Sequence, residues 1–200
     1  MKYNHKDGIS LRKLEFEDLD CLLDLKRESW WGTHNTLIIN RDDQENWFRN
    51  IGKNELYLIA EKDSKAIGVA VYTCIDYISR KLSISGSIVK KYRVAEVVTP
   101  AFSAGLDFAF EILNMRRVEA EVLESNLASL KLELDHLGFT IEGRKRSAVY
   151  KSGVYYDSLI LGLLRDEWEV QNRVVGYGGS CNLNFDHLIA KEAIVKTSSL

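Results

Sequence analysis

The sequence predicts an α/β fold built on a twisted mixed sheet with helices on both faces. Three observations carry that reading. Between Leu82 and Phe139 the chain alternates as a strand, turns, runs as an apolar helix, alternates again and returns as a second helix. Hairpin signals flank this unit on both sides, and strands before and after a strand-helix-strand unit make a mixed sheet. Two hundred residues, 46% apolar and 28% charged, are long enough to bury one real core.

Taken in order, Gly8 to Leu14 reads as a first strand. Glu15 to Ser29 carries Leu19, Leu22, Leu23 and Leu25, with acids early and Lys26-Arg27 late, an amphipathic helix well oriented for its dipole. Trp30-Trp31-Gly32-Thr33-His34 breaks it, and adjacent tryptophans cannot both face one core, so one should line a groove or plug a loop. Asn40 can cap a second helix through Ile51, with Trp47, Phe48 and Ile51 as its stripe. Glu55 to Tyr77 is a hairpin around Asp63-Ser64. Leu82, Ile84 and Ile88 alternate with Ser83, Ser85 and Ser87, and the turn Lys90-Lys91-Tyr92-Arg93 follows.

Thr99-Pro100 looks like a helix start, with Thr as N-cap and Pro at the first helical position, where its missing N–H costs nothing. From Ala101 to Leu113 apolar positions nearly encircle the helix, which should be packed on most sides, and Asn114 marks its C-cap region. Arg117 to Leu123 alternates as a strand, a helix runs from Asn126 through Leu137, and Phe139–Lys151 and Val154–Leu163 close the sheet as a hairpin around Ser152-Gly153. Beyond Trp168, Val174 to Ser180 reads as a flexible linker and Asn184 to Lys196 as a short amphipathic helix, which either docks on the body or meets a partner.

A net charge of −2 argues against a general nucleic-acid binder. Three dispersed cysteines give neither a disulfide framework nor a zinc pattern, so no metal is expected, and Cys21 and Cys74 read as small core side chains. No apolar run approaches the ~20 residues that span a bilayer, and no signal-peptide core opens the chain. The expectation is a cytoplasmic, reduced protein that binds no membrane. Locally, the strand, the basic turn and a helix N-terminus converge free amides and positive charge, either an anion site or a structural crossover with a solvated turn.

The stretch from Asp107 to Trp168 also resembles a known family. AFE-x-L-N-x-x-R-V-E-A-E-V, Asn126 with Ser129 three later, Gly138-Phe139, Glu142-Gly143, Gly153, Tyr156 and the closing L-L-R-D-E-W are similar to the second half of a GNAT (GCN5-related N-acetyltransferase) domain of the RimJ/RimL type. The resemblance covers roughly Gly8 to Trp168, so residues 1–168 are expected to be the acyltransferase domain and 169–200 an appendage. It implies central parallel strands that splay apart, an acetyl-CoA co-substrate held in the opening, and direct attack by a primary amine on the thioester.

By the same resemblance, Ile88, Val89 and Lys90 would pair with the pantetheine amides, and Arg93, Val94, Ala95, Glu96, Val97 and Val98 would wrap the pyrophosphate. Asn126 and Ser129 would contact the cofactor arm, with Asn126 equally able to cap a helix. Ser87 and Asn126 are the catalytic candidates, and Trp31, His34 and Ser85 the acceptor-binding ones. The opening around Trp30-Trp31 resembles amino-sugar acetyltransferases of surface-glycan pathways, so the acceptor is expected to be an amino sugar, a small amine or a protein N-terminus.

Three departures stand out. The family's loop glycines are replaced by Val94 and Glu96, the spacing from Ser129 to Gly138 is one residue longer, and Leu134 stands four before Gly138 where relatives often carry tyrosine. They leave open a second reading, a non-catalytic binding or assembly protein on the same fold, and the apolar tail leaves open a homodimer.

Overall fold

In the computed structural model, residues 2–32 and 40–175 are described. His34, residues 176–180 of the expected linker and the helix expected over Asn184 to Lys196 lie outside them, whereas Val174 and Val175 are helical rather than linker. Eight strands form one sheet in the order β1-β2-β3-β4-β5-β6-β8-β7. They are β1 Lys2–Asn4, β2 Ile9–Lys13, β3 Leu56–Lys62, β4 Lys65–Asp76, β5 Lys81–Ile88, β6 Arg117–Leu123, β7 Thr140–Lys151 and β8 Val154–Leu164. Every neighbouring pair is antiparallel except β5–β6. The helices are α1 Leu19–Ser29, α2 Arg41–Arg49, α3 Ala95–Asp107, α4 Leu127–Lys131 and α5 Arg165–Val175. Among the described residues no helix is long and apolar enough to cross a membrane.

Local chemistry explains most boundaries. The Asn40 carboxamide accepts from the Asp43 N–H at 2.9 Å and starts α2. Ahead of α1 the chain makes a 3-10 turn over Phe16–Asp18, closed by the Asp18 carboxylate accepting from the Glu15 N–H at 2.9 Å. Both hairpin turns use positive φ, Asp63 and Ser64 at 51° and 59°, Ser152 and Gly153 at 47° and 86°. That twist suits two-residue hairpin loops. Asn114 at φ 56° stops the helix that α3 extends through a π turn over Phe108–Ile112.

Strand alternation divides the core. On one face Leu58, Tyr72, Leu82, Val118 and Leu161 pack with Val97, Ala101, Phe108 and Leu137 of the α3 and α4 layer. On the other, Ile59 and Val69 pack with Leu22 and Leu25 of α1 and with Trp47 and Phe48 of α2. Tyr72, fully buried, donates to the Gly105 carbonyl at 2.9 Å and pins α3 to β4. Trp168 is buried too, its indole N–H donating to Asp107 at 2.7 Å. Asp107 also bonds the buried His5 ring at 2.9 Å.

Two expectations fail here. Cys74 and Cys21 are exposed rather than core side chains. Cys74 stands at φ 51°, where the β4–β5 register slips between Thr73 and Asp76, and the resulting bulge turns it outward. Cys21 falls on the outer face of α1, away from the stripe of Leu22 and Leu25. The short strand β1 goes unannounced in the sequence, because three residues are too few to show a period.

Candidate functional site

The two central parallel strands touch only at their start. Lys81, Leu82 and Ser83 pair with Arg117, Val118 and Glu119, after which β5 runs on to Ile88 and β6 to Leu123 without pairing. The expected splay is therefore present. The Val89 N–H reaches across to the Ile67 carbonyl at 2.8 Å. Partners alternate along an antiparallel ladder, so the amide groups of Ile84, Gly86 and Ile88 face the opposite way, into the opening. A strand edge of this kind offers ready-made pairing for a ligand that carries amides of its own.

At the β5 end the helix start differs from the Thr99-Pro100 expectation. α3 begins at Ala95, because Val94 is extended and its carbonyl already accepts from Val97 and Val98 at 3.0 and 2.9 Å. Pro100 therefore sits inside the helix, where its missing N–H leaves the Glu96 carbonyl without its i+4 donor. The consequence for the site is favourable. The amides of Ala95 and Glu96, the first two of the helix, have no helical carbonyl to reach and point outward with the dipole behind them. Val97 packs inward, while Val94 and the Glu96 carboxylate stay exposed.

Arg93 does not stand out at this mouth. Its guanidinium lies across the strand end, donating from Nε to the Ile88 carbonyl at 2.7 Å and from Nη2 to Ser29 Oγ at 3.0 Å. Ser29 Oγ in turn shares a short hydrogen bond with Ser87 Oγ. The Glu28 carboxylate accepts from the Lys90 N–H at 3.1 Å, so the end of α1 is tied to the end of β5. Lys90 and Lys91 remain exposed and supply the positive charge. Ser85, one strand turn earlier, is exposed on the same face as Ser87.

At the β6 end a different kind of site appears. Asn126 caps α4, its Oδ1 accepting from the Ser129 N–H at 3.3 Å, which leaves its Nδ2 as a donor. That Nδ2 lies only 2.7 Å from where a Cβ on Gly32 would stand, so glycine is required unless the cap moves. Trp31, Gly32, Leu123, Ser125, Asn126, Lys151 and Tyr156 line a cavity of about 310 Å³. Lys151, 6% exposed, enters it from the tip of the β7–β8 hairpin and donates to the carbonyls of Trp30 and Trp31 at 2.7 and 2.9 Å. Burial lowers its pKa. The two tryptophans meet edge to face at 4.5 Å; Trp30 is half buried and Trp31 is 66% exposed over the cavity.

The extra residue between Ser129 and Gly138 is absorbed as a π turn over Leu132–His136, and Asn126 still caps α4. Within that turn the Glu133 carboxyl is buried, its Oε2 unpartnered, and desolvation pushes its pKa up to about 8. His136 is exposed on the helix surface.

The structure thus gathers Ser87, Ile88, Val89, Lys90 and Arg93 to Val98 at one side of the opening, and Trp31, Asn126 and Ser129 at the other. Sequence reasoning missed Lys151, Tyr156, Ser125 and Gly32. No local signal marks Lys151: it is one lysine beside a hairpin turn, and only the fold carries it across to Trp30.

A family model described as acetyltransferase (GNAT) domain matches residues 9–140. Among curated relatives, the uncharacterized N-acetyltransferase p20 of Bacillus licheniformis is 24% identical over 182 residues, 84% of this chain and 99% of that one. YdaF of Bacillus subtilis is 29% identical over 107 residues, 54% of this chain and 58% of its own length. Among solved structures, the spermidine N-acetyltransferase of Vibrio cholerae in complex with CoA and spermine superposes with a TM-score of 0.75 at 22% identity, over 82% of this chain and 99% of that one.

Proposed function

The chain belongs to the GNAT acetyltransferase family and transfers an acetyl group from acetyl-CoA to an amine; on that premise we propose that its acceptor is the primary amine of a small polar molecule seated in the cavity beneath Trp31. Acetyl-CoA fits the residues present. The edge amides of Ile84, Gly86 and Ile88 match a ligand arm that carries amides, and the first-turn amides of α3 with Lys90 and Lys91 suit a pyrophosphate. Glu96 opposes that fit, because its carboxylate competes for the same amides.

When bound, acetyl-CoA supplies the acetyl thioester that the acceptor amine attacks; a C–N bond forms, the C–S bond breaks, the nitrogen sheds a proton and the departing sulfur gains one. This chain's contributions are positional and electrostatic. The Asn126 Nδ2 donor, oriented by its own cap bond, can hold a carbonyl oxygen as negative charge grows on it. Arg93 donates to Ser29, and Ser29 is bonded to Ser87, so the Ser87 hydroxyl stands at the end of a polarised chain and can donate a hydrogen bond toward the reacting atoms. Trp31 covers the acceptor and keeps water from it.

The observation that carries this reading is the cavity's place at the end of β6, beyond the last β5–β6 pair. At about 310 Å³ it lies at the small end of ligand sites, which suits an amino sugar or small amine better than a folded protein's terminus. Within the reading, residues 1–168 are the transferase domain and the tail is the candidate for self-association. The test is thiol release from acetyl-CoA across a panel of amino sugars, simple amines and N-terminal peptides. Turnover with a small amine supports it; turnover with peptides alone would refute it.

A further inference from the structure

A buried ammonium ordinarily has a carboxylate beside it, since an unpaired charge is costly to take out of water. Lys151 has none. It makes no ion pair among the described residues; its two hydrogen bonds are to neutral carbonyls of Trp30 and Trp31, and its Nζ lies 5.4 Å from the Trp30 ring centroid, a contact that eases but does not neutralise the charge. The rest of the described lining is Trp31, Gly32, Leu123, Ser125, Asn126 and Tyr156, with no acid in it. Thr33 to Ile39, next in sequence to Gly32, include no acid either. The carboxylates at the end of β6 are engaged elsewhere, Glu121 with Lys145 and Ser158, and Glu124 with Arg144. An ammonium presents three donors, of which two are used.

We propose that Lys151 anchors an anionic group of the acceptor, so that the amine acetylated belongs to a molecule that also bears a phosphate or carboxylate, rather than to a polycation. This deepens the proposed function and rests on it. The cavity supplies the remaining contacts such a molecule needs. Ser125, Asn126 and Tyr156 offer hydroxyl and amide groups to a polar body, and Trp31 gives an apolar cover. A spermidine-like acceptor would bring more positive charge against a cation already buried without a counter-ion, a juxtaposition that costs binding. The spermidine acetyltransferase shares this fold at 22% identity, which carries the fold across and not the acceptor.

Binding an anion beside Lys151 favours its charged form, so it reverses the lowering that burial causes. Binding should therefore take up protons and weaken as pH rises through the pKa of the free enzyme's Lys151. Tyr156 is the other titratable group in the described lining.

The experiment uses the full chain and paired acceptors that differ by one anionic group: glucosamine 6-phosphate against glucosamine, and an amino acid against its amide, with spermidine as the cationic arm. The two pairs distinguish a phosphate from a carboxylate. Wild type should favour the anionic member of at least one pair by roughly tenfold or more in kcat/KM, chiefly through KM. Lys151→Gln should erase that preference while its melting shift with acetyl-CoA is unchanged, and Lys151→Arg should keep part of it. Should Lys151→Gln not fold, the wild-type pairs and Lys151→Arg still decide.

Equal use of both members of each pair, a preference for spermidine, or an anion preference that survives in Lys151→Gln would overturn the proposal. So would an acetyl group found on Lys151 itself, since an amide has no charge to offer. A wild type that fails to bind acetyl-CoA would instead defeat the underlying transferase reading, and the acetyl-CoA melting arm reports that separately.

Discussion

On the proposed reading, the two sides of the opening solve the same problem, recognition of a polar ligand, with different materials. The β5 side uses backbone: the edge of Ile84 to Ile88 and the first turn of α3, with side chains either turned away or exposed. The β6 side uses side chains drawn from four separate stretches, Trp31, Asn126, Lys151 and Tyr156, of which Lys151 is buried. Backbone amides persist whatever residue bears them, so the first side tolerates Val94 and Glu96 where glycines are usual. The second has no such tolerance, because each contact is a particular atom on a particular residue.

The sharpest way to break that contrast is Asn126→Ala. It removes the Nδ2 donor and the cap to Ser129 together. We expect kcat to fall by about 100-fold, the loss typical of deleting one donor to a developing oxyanion. Lost capping should add about 1 kcal/mol of destabilisation. A stopped-flow or thiol-release measurement with saturating acetyl-CoA reads the first number and a melt the second. A fall confined to stability would reduce Asn126 to a helix cap.

Burial on the β6 side also predicts a pH effect. Glu133, in the π turn that follows α4, has its pKa pushed up to about 8 by desolvation. An unfolded glutamate titrates near 4.3. Between those values the folded chain keeps a proton that the unfolded chain has released, so stability is full below about pH 4.3 and is lost as pH rises toward 8. The slope is at most about 1.4 kcal/mol per pH unit. Glu133→Gln should flatten it, melting with wild type near pH 4 and above it at pH 8. Parallel melting curves would mean that the carboxyl reaches water.

What the sequence disclosed follows the same division. Period-2 alternation and turn chemistry delimit β5, β6 and both hairpins closely, since Asp63-Ser64 and Ser152-Gly153 adopt the positive φ their types allow. Asn40 and Asn114 were readable because capping is local. Pro100 misled, because a proline suits a first turn in general and only the extended Val94 shows that this helix had already begun. Of the candidate site, the side proposed for the donor could be drawn from the sequence because strand, turn and helix are contiguous in it. Lys151 was not, since nothing near it foretells a bond to a carbonyl some 120 positions away.

The smallest expected effect probes the backbone side directly. Glu96 occupies the second position of α3, exposed, with its charge at the positive end of the dipole. There a carboxylate gains about 0.3–1 kcal/mol from the helix terminus, and a phosphate seeking the same amides must displace or tolerate it. Glu96→Gly removes the competitor and restores the close approach that a side chain denies. Affinity for acetyl-CoA should therefore rise by a few-fold, the equivalent of that interaction. Since a ligand at 100 times its dissociation constant stabilises a fold by about 2.7 kcal/mol, titrated melting curves resolve such a change. The apo variant should melt slightly lower, because the helix loses a favourable charge and gains a flexible residue. An unchanged affinity would mean that the phosphate avoids the first turn of α3, and that Lys90 and Lys91 carry the donor's charge alone.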